Sequence, residues 1–327
     1  MPASGVSVAL CTRNGERFLR AQLESILGQT RAVDEVVVSD DASTDGTVAL
    51  VRATFAGHPD APPLTILENA TALGVTRNFE QAIAATTGDI VLLSDQDDVW
   101  APDRVAKTLA AFSGEDVVLV HGDARLIDAQ GRVLPATLYS SYSVDAAALH
   151  DIASGHAFDQ FLRRNLVTGA TAAIRRRLFD AASPFPDDWV HDEWLSMVAS
   201  ATGRIVPLTD SLIDYRQHGG NEIGAVTLGL RGRVGRLTAP GAERNRRLLA
   251  RATVLAERYP GFDDDPVALH AVREKVEHER VRSGLSIHRA ARIGPVLREW
   301  RTGRYSRFGG GLQDVVRDLI QPLRPSS

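Results

Sequence analysis

Short apolar segments alternate with amphipathic segments through the first 120 residues of this 327-residue chain. The apolar segments are continuous, which is typical of strands buried on both faces of a parallel sheet. The segments between them place apolar residues at the spacing of one helix face. The alternation predicts an α/β fold with a doubly wound, mostly parallel sheet flanked by helices. We predict strands at Val6–Leu10, Glu35–Ser39, Leu64–Leu67, Ile90–Ser94 and Val117–Val120, and helices at Arg17–Leu27, Val48–Phe55, Val75–Thr86 and Pro102–Phe112.

The alternation breaks down between residues 122 and 217. A hairpin is predicted around the turn Ala129–Gly131, and Tyr139–Tyr142 is expected in a polar loop. The pattern of Ala146–Arg163 is mostly helical. Two further strands and one helix are predicted at Thr171–Ile174, Leu212–Arg216 and His191–Ala201. From Thr227 onward the patterns are helical and rich in arginine, so we expect one domain over residues 1–224 and a basic helical extension over residues 225–327.

Bulk properties narrow the class of protein. The chain has no apolar run long enough to cross a bilayer, and Met1–Gly5 lacks the features of a secretion signal. A single cysteine, Cys11, excludes a disulfide framework and fits the reducing cytoplasm. The turn Cys11–Glu16 has no G-x-G-x-x-G pattern, which argues against a dinucleotide dehydrogenase. These features predict a cytoplasmic protein.

The segment Asp95-Gln96-Asp97-Asp98 follows the predicted strand Ile90–Ser94 directly. In an open α/β sheet, ligands bind beyond the carboxyl ends of the strands. Three carboxylates at that edge repel one another unless a cation lies among them, and Mg²⁺ or Mn²⁺ combines a few carboxylates with phosphate oxygens and water. The segment therefore predicts a metal–diphosphate site. The alternative is a solvated acidic turn that caps the next helix.

The order of the polar segments resembles the family 2 glycosyltransferases, inverting enzymes of the GT-A fold. The resemblance rests on VSVALCTRNGERFL, VVVSDDASTDGT and GDIVLLSDQDDVW within the first 120 residues. The later LVTGATAAI, HDEWLSMVASATGRI and YRQHGGN are similar to a branch that builds bacterial surface polysaccharides and includes rhamnosyltransferases. The resemblance implies a nucleotide-binding half over residues 1–120 and an acceptor-binding half over residues 121–224.

The resemblance also implies residue roles in donor binding. Asp41 matches the carboxylate that accepts the pyrimidine N3–H, whereas capping of the second helix is the alternative role and suits Ser43 or Asp45 better. Arg77 and Asn78 match a helix start beside the ribose and diphosphate, or are ordinary surface residues. The implied nucleotide-binding residues are Thr12, Arg13, Glu16, Asp41, Arg77, Asn78 and Asp95.

The metal is implied to be Mn²⁺ or Mg²⁺, held by Asp97 and Asp95. His218 either completes the metal shell or is a loop histidine with a structural hydrogen bond. Inversion requires a base that deprotonates the acceptor hydroxyl. Asp192 matches the acidic residue of the family at the start of this helix, and Glu193 is the competing choice.

Acceptor binding is implied for four residues. Trp194 either forms the floor for the acceptor sugar or belongs to the core. Gly169 resembles a turn where the missing Cβ permits close approach. The implied acceptor-binding residues are Thr168, Gly169, Glu193 and Trp194.

The function predicted from the sequence is metal-dependent transfer of a sugar from a nucleoside-diphosphate sugar, with dTDP-rhamnose or a UDP-sugar as donor, to a glycan or lipid-linked glycan. No nucleic-acid partner is expected. A sugar nucleotidyltransferase is the enzymatic alternative, but Thr12–Glu16 makes a poor triphosphate loop. A catalytically inactive glycan-binding or scaffold protein is the other alternative.

Residues 226–327 carry 20 Arg and Lys against 11 Asp and Glu, although the whole chain has a net charge of −4. An arginine-rich face beside aliphatic and aromatic residues suits the anionic inner surface of the plasma membrane. The alternatives are packing within the protein and an oligomer interface formed by these helices. The predicted face contains Arg289, Arg292, Arg298, Arg301, Arg304 and Arg307 around Ile293, Val296, Leu297, Trp300, Tyr305 and Phe308, followed by Leu312, Val315, Val316, Leu319 and Ile320.

Overall fold

The computed structural model describes residues 5–219 and 241–322. The chain divides into two compact units, the first made of Met1–Ala157 and Leu166–Val226, the second of Phe158–Asn165 and Thr227–Ser327. Three features of the sequence analysis lie outside the described residues. They are the predicted domain boundary after residue 224, the last two residues of YRQHGGN, and residues 1–4, for which no secretion signal is predicted.

The first unit is built on one mixed sheet, with nine strands in the part of the chain that the structure describes. The strand order is β3-β2-β1-β4-β8-β6-β9-β5, and β7 pairs with β6. Strands β1 to β4 are mutually parallel, whereas β8 is antiparallel to both of its neighbours, β4 and β6. The strands are β1 Val6–Thr12, β2 Glu35–Asp40, β3 Leu64–Glu68, β4 Ile90–Ser94, β5 Val99–Trp100, β6 Val117–Ile127, β7 Val133–Thr137, β8 Ala173–Arg175 and β9 Arg204–Arg216.

Helices connect and flank these strands, which confirms the predicted α/β class. In the first unit they are α1 Glu16–Leu27, α2 Thr47–Ala56, α3 Val75–Ala85, α4 Arg104–Ala111, α5 Leu138–Ser141, α6 Ala146–Asp151, α8 Arg176–Ala182 and α9 His191–Thr202, whereas α7 Ala157–Arg163 belongs almost wholly to the second unit. The predicted helical extension is present as α10 Ala242–Arg258, α11 Pro266–Ser283, α12 Arg289–Arg301, α13 Arg304–Phe308 and α14 Leu312–Ile320. None of the helices described in residues 5–219 and 241–322 is long and apolar enough to cross a membrane.

Several local predictions differ from the structure; the strand predicted at Leu212–Arg216, for example, begins at Arg204. Leu138–Ser141 is a short helix and not a loop, because Thr137 and Ser140 form a reciprocal capping box at its start. The strand predicted to end at Val120 continues to Ile127, because β6 pairs with β9 along its length and with β7 at its end. The hairpin partner β7 is therefore attached to a central strand.

The sheet positions the polar segments through its register. In β1 and β2 every residue but Glu35 is buried, and all of β4 is buried, as continuous apolar strands require. Thr12 at the end of β1 is paired with Asp40 at the end of β2. Leu10 of β1 is paired with Ser94 at the end of β4. The three loops that follow these strands therefore start at the same edge of the sheet.

The second unit has charged residues in its interior. Arg282 is almost fully buried and donates to both carboxylate oxygens of Asp318, at 2.7 and 3.3 Å. Tyr305 also donates to Asp318, at 2.9 Å, and Glu279 pairs with Arg282. Removing one member of such a buried pair leaves an uncompensated charge, so this network holds α11, α13 and α14 in one arrangement.

Candidate active site

The loop after β1 is joined to the acidic segment after β4 by one side chain. The Gln96 amide accepts from the backbone N–H of Arg13 at 2.7 Å and donates to the Arg13 carbonyl at 3.0 Å. A Cβ on Gly15 would collide with the Gln96 side chain, so a larger residue there would displace the Gln96 amide from Arg13. Gln96 thus locks the two loops together.

The loops after β1 and β2 are also tied to each other. Thr12 donates to Asp40 at 2.7 Å, and Asp40 accepts from the backbone and hydroxyl of Ser43. Glu16 accepts from the backbone N–H of Gly46 at 3.0 Å. The side chains of Thr12, Asp40 and Glu16 are therefore occupied in building the loops. The residue before α2 is Gly46, which makes no side-chain capping bond. Of the two predicted capping residues, Asp45 accepts from the backbone N–H of Thr47 at 3.0 Å, whereas the Ser43 hydroxyl donates to Asp40.

Asp41 is the first residue after β2 and is buried. Its two carboxylate oxygens accept from the backbone N–H groups of Leu73, at 2.6 Å, and Gly74, at 3.0 Å. The Arg13 guanidinium lies 3.8 Å from the same carboxylate. Oδ1 also accepts from the Asn69 amide at 3.4 Å. A carboxylate oxygen has two acceptor directions, so Oδ2, which accepts from Gly74, retains capacity for a further donor.

The two residues implied to cover the diphosphate have protein partners. Asn78 is buried and exchanges hydrogen bonds with Ser39, so it is not an ordinary surface residue. Its amide joins α3 to β2. Arg77 pairs with Glu80 at 2.6 Å and with Asp187 at 2.6 Å. Both residues lie at the start of α3, where the resemblance put them, but their polar groups point to protein.

The acidic segment meets the end of β9. His218 Nε2 lies 2.7 Å from Asp97 Oδ2, and the two side chains are 17% and 14% exposed. Arg216 donates through Nε to the Asp97 carbonyl at 2.8 Å and through its backbone N–H to Asp98 Oδ1 at 3.0 Å. Both His218 and Arg216 pack on the ring of Phe18. The structure thus brings together Asp97 and His218 from two predicted segments.

The charges of the acidic segment affect their buried neighbours. Burial, followed by the charges of Asp97 and Asp95, raises the pKa of Asp98 well above its usual range. Burial and the charges of Asp95 and Asp41 raise the pKa of the Cys11 thiol. Burial lowers the pKa of Arg104 to about 9, although Asp98 and Asp95 oppose the shift. Asp41 and Asp95 therefore both act on the carboxyl end of β1, while Cys11 is a neutral core residue.

The donors at this edge suit an open cation site. No cluster of three or more His, Cys, Asp and Glu side chains with metal-binding geometry occurs within residues 5–219 and 241–322. A closed protein cage is therefore absent from that part of the chain. Mg²⁺ and Mn²⁺ in nucleotide sites use one or two protein ligands plus phosphate and water. Asp97 and His218 provide such a pair, and an imidazole with a carboxylate suits Mn²⁺ better than Mg²⁺.

Asp192 occupies the first turn of α9. Its Oδ2 accepts from the Gly169 N–H at 3.0 Å and its Oδ1 from the Glu193 N–H at 2.6 Å. The positive end of the helix favours the ionised carboxylate. Burial, followed by the charge of Asp192, raises the pKa of the Tyr142 hydroxyl. Asp192 is thus a fixed, partly exposed carboxylate.

Two of the implied acceptor-binding residues serve the interior instead. Trp194 is 0% exposed and its indole N–H donates to the Ala182 carbonyl at 2.8 Å, so the predicted sugar floor is wrong and the ring belongs to the core. A Cβ on Gly169 would lie 2.5 Å from Nε2 of His191. The close approach at Gly169 is therefore made by His191, which stacks on Phe79, and not by an acceptor. Thr168 and Glu193 are partly exposed beside them.

Two residues of the site were not predicted as functional from the sequence. Gln96 fixes the β1 loop, and Arg216 fixes the backbone of the acidic segment. Both lie inside quoted motifs, SDQDDVW and YRQHGGN, so position in a motif was the available signal. Their partners are distant along the chain, which the motifs do not reveal.

Residues 7–181 match the sequence profile described as Glycosyl transferase family 2. The chain belongs to that family. An uncharacterized glycosyltransferase from Nostoc sp. is 28% identical over 221 residues, which are 66% of each chain. The dTDP-rhamnosyl transferase RfbG from Shigella flexneri is 30% identical over 104 residues, 31% of this chain and 35% of that one. These alignments span from about a third to two thirds of the relatives' own lengths.

Solved glycosyltransferases share the fold. The mannosyltransferase PcManGT from Pyrobaculum calidifontis, in complex with GDP-Man and Mn²⁺, has a TM-score of 0.56 at 22% identity and matches 97% of this chain and 86% of its own. S. aureus TarS 1-349 in complex with UDP-GlcNAc has a TM-score of 0.58 at 15% identity, over 96% and 89% of the two chains. The predicted GT-A fold is thereby confirmed.

Proposed function

We propose that this family 2 glycosyltransferase is a metal-dependent inverting enzyme that transfers a sugar from a nucleoside diphosphate to a glycan. The pairing of Asp97 with His218 carries the proposal, because a carboxylate and an imidazole converge at the strand edge where Asp41 is buried. Mn²⁺ or Mg²⁺ held by Asp97 and His218, with Asp95 nearby, would stabilise negative charge on the departing diphosphate.

In the proposed reaction the residues of the chain bind, orient and move a proton. Asp41 accepts a hydrogen bond from the pyrimidine base, with Arg13 beside it. Asp192 takes the proton of the acceptor hydroxyl, whose oxygen forms a bond to the anomeric carbon. The bond from that carbon to the diphosphate oxygen breaks, and its electron pair leaves with the nucleoside diphosphate. Because attack and departure occur on opposite faces, the anomeric configuration inverts.

The donor and acceptor are proposed from the relatives. RfbG is named as a dTDP-rhamnosyl transferase, and a relative from Escherichia coli, 25% identical over 123 residues, is named as a UDP-Glc glucosyltransferase acting on a diphosphoundecaprenol-linked sugar. We therefore propose dTDP-rhamnose or a UDP-sugar as donor and a lipid-linked glycan of surface polysaccharide synthesis as acceptor. The single, buried cysteine supports a cytoplasmic location.

A panel of nucleotide sugars tests the proposal. Release of nucleoside diphosphate is measured with Mn²⁺, with chelator, and after Mn²⁺ is restored. We expect one dTDP- or UDP-sugar to be turned over only with the cation, and the Asp97→Ala protein to be inactive while its thermal unfolding is unchanged. Thermal stabilisation by nucleoside triphosphates but not by UDP or dTDP would instead favour a nucleotidyltransferase. Full activity in chelator would contradict the metal dependence.

A further inference from the structure

Two helices of the second unit each expose a stripe of apolar side chains. On α12 the exposed residues are Ile293, Leu297 and Trp300, and on α14 they are Leu312, Val316 and Ile320. Each set has the three- or four-residue spacing of one helix face. Trp300 is 50% exposed and Leu312 is 68% exposed. We call these six residues the apolar face.

The two stripes belong to neighbouring, antiparallel helices. Arg292, in the first turn of α12, donates to the carbonyls of Asp318 and Gln321 at the end of α14, at 3.1 and 2.6 Å. Val296 and Val315 lie in one buried apolar cluster between the helices. Each of these valines precedes an exposed member of the apolar face, Leu297 or Val316. The exposed stripes therefore border the same small core.

Within residues 287–322, which carry the apolar face, the exposed charges have one sign, whereas Glu277 of α11 is exposed and pairs with Arg280. Residues 287–322 contain three acidic residues, Glu299, Asp314 and Asp318, and all three are buried. These carboxylates form ion pairs inside the unit, for example Asp314 with Arg244 and Asp318 with Arg282. The outward-facing charge of this segment is consequently positive.

The arginines divide into two groups. Arg292 is 1% exposed and binds backbone carbonyls, and Arg304 pairs with Glu274 and Glu299, so the prediction that these two face a membrane is wrong. Arg307 is exposed but also pairs with Glu274, so it belongs to this first group. Arg289, Arg298 and Arg301 are exposed and make no ion pair with any residue in 5–219 or 241–322. Arg289 and Arg301 continue the four-residue spacing of Ile293 and Leu297, so they lie at both ends of the same helix face.

We propose that the apolar face, with Arg289, Arg298 and Arg301, docks on an anionic phospholipid bilayer. Charge complementarity selects this occupant, because each arginine near an anionic leaflet adds roughly 1 kcal/mol of attraction. Apolar helix residues beside cations insert at the boundary between headgroups and acyl chains, where Trp is favoured. The docking does not depend on the proposed reaction.

Vesicle sedimentation tests the proposal with the full chain. Vesicles of phosphatidylcholine with roughly 30% phosphatidylglycerol have an anionic surface. They are compared with vesicles of pure phosphatidylcholine at low and high salt. We expect binding to the anionic vesicles that weakens at high salt. The triple variant Arg289→Gln, Arg298→Gln, Arg301→Gln should bind roughly 100-fold more weakly. The variant Trp300→Ser, Leu312→Ser should bind at least about tenfold more weakly.

Matched controls separate the face from total charge and hydrophobicity. The control triple variant removes three exposed arginines elsewhere in the unit, by Arg246→Gln, Arg247→Gln and Arg273→Gln. The second control, Val267→Ser, removes an exposed apolar residue outside the face. Both controls should bind to vesicles like the parent protein.

Two results would overturn the proposal: an equal loss of vesicle binding in the control and test triple variants, or negligible binding by the parent chain. A dimer that Trp300→Ser, Leu312→Ser dissociates in sedimentation velocity, without vesicle binding, would identify the face as an interface between copies. Donor hydrolysis in solution should be unchanged in every variant, so a failure here is distinct from failure of the proposed reaction.

Discussion

The Nε2 atom of His218 lies 2.7 Å from Oδ2 of Asp97, although 121 residues separate the two along the chain. Asp97 follows β4 and His218 follows β9, and Arg216 joins the same two segments by donating to the Asp97 carbonyl. The packing of Phe18 against both Arg216 and His218 supports the arrangement from α1. The proposed cation site therefore depends on three separate elements.

The first prediction concerns His218→Ala. Removal of a ligand should weaken Mn²⁺ binding by more than the roughly 10–100-fold lost when an outer-shell partner is removed. Isothermal titration with Mn²⁺ in the presence of UDP measures the change. His58→Ala, at an exposed position, is the control and should bind normally. If His218→Ala retains the parent affinity, His218 is a loop histidine.

The second prediction concerns Asp192→Asn. The amide can still accept from the Gly169 N–H but cannot take a proton, so transfer should fall by about 10²–10⁴-fold. Affinity for the donor nucleotide should be unchanged. Single-turnover transfer and nucleotide titration distinguish the two effects. An active Asp192→Asn together with an inactive Glu193→Gln would assign the base to Glu193.

The third prediction concerns Asp41→Asn. The Asp41 carboxylate accepts hydrogen bonds from two backbone N–H groups. The amide of asparagine can accept only one of them, because its NH₂ group is itself a donor. Loss of a charge-assisted hydrogen bond should weaken UDP or dTDP binding by about 10–100-fold. Asp60→Asn, an exposed site, is the matched control. Unchanged nucleotide affinity in Asp41→Asn would remove this residue from the base pocket.

The fourth prediction compares two glycine substitutions. Gly169→Ala forces a Cβ to 2.5 Å from Nε2 of His191, so it should destabilise the protein by about 1–3 kcal/mol. Gly261 is exposed and has open space where its Cβ would be, so Gly261→Ala should stabilise the second unit by about 0.4–1 kcal/mol. Urea unfolding at neutral pH measures both. Equal effects at the two sites would contradict the packing described around His191.

The fifth prediction concerns pH. Burial lowers the pKa of His121 and of His191 to about 3, from 6.5 for an ordinary histidine. The unfolded chain therefore binds more protons below pH 6.5, so stability is complete above that pH and is lost as the pH falls toward 3. Between pH 7 and pH 5, each histidine should account for roughly 2 kcal/mol of this loss.

Urea unfolding at pH 7 and pH 5 checks the histidine effect. His121→Gln should reduce the difference in unfolding free energy between the two pH values, whatever its effect at pH 7. His270→Gln, at an exposed position, should leave the difference unchanged. A pH difference that is the same in His121→Gln and the parent protein would show that His121 is not held neutral.

Much of the fold could be predicted from the sequence, because strands and helices each have a local pattern of apolar residues. Continuous apolar strands and periodic helices predicted the α/β class. The motifs after β1, β2 and β4 are carried to one edge by parallel pairing, which follows from strand order alone. The sequence thus determined the class of fold, the family resemblance and the segments from which the site is built.

The tertiary structure decided which side chains within those segments are available. Trp194, Asn78 and Arg292 carry polar groups that the sequence permits to face a ligand or a membrane, yet all three are buried against protein partners. Asp97 and His218 are polar in the same way, but they meet at a partly exposed edge. The difference arises from contacts between residues far apart in the chain, which no local pattern records. Burial and partner choice therefore had to come from the packed structure.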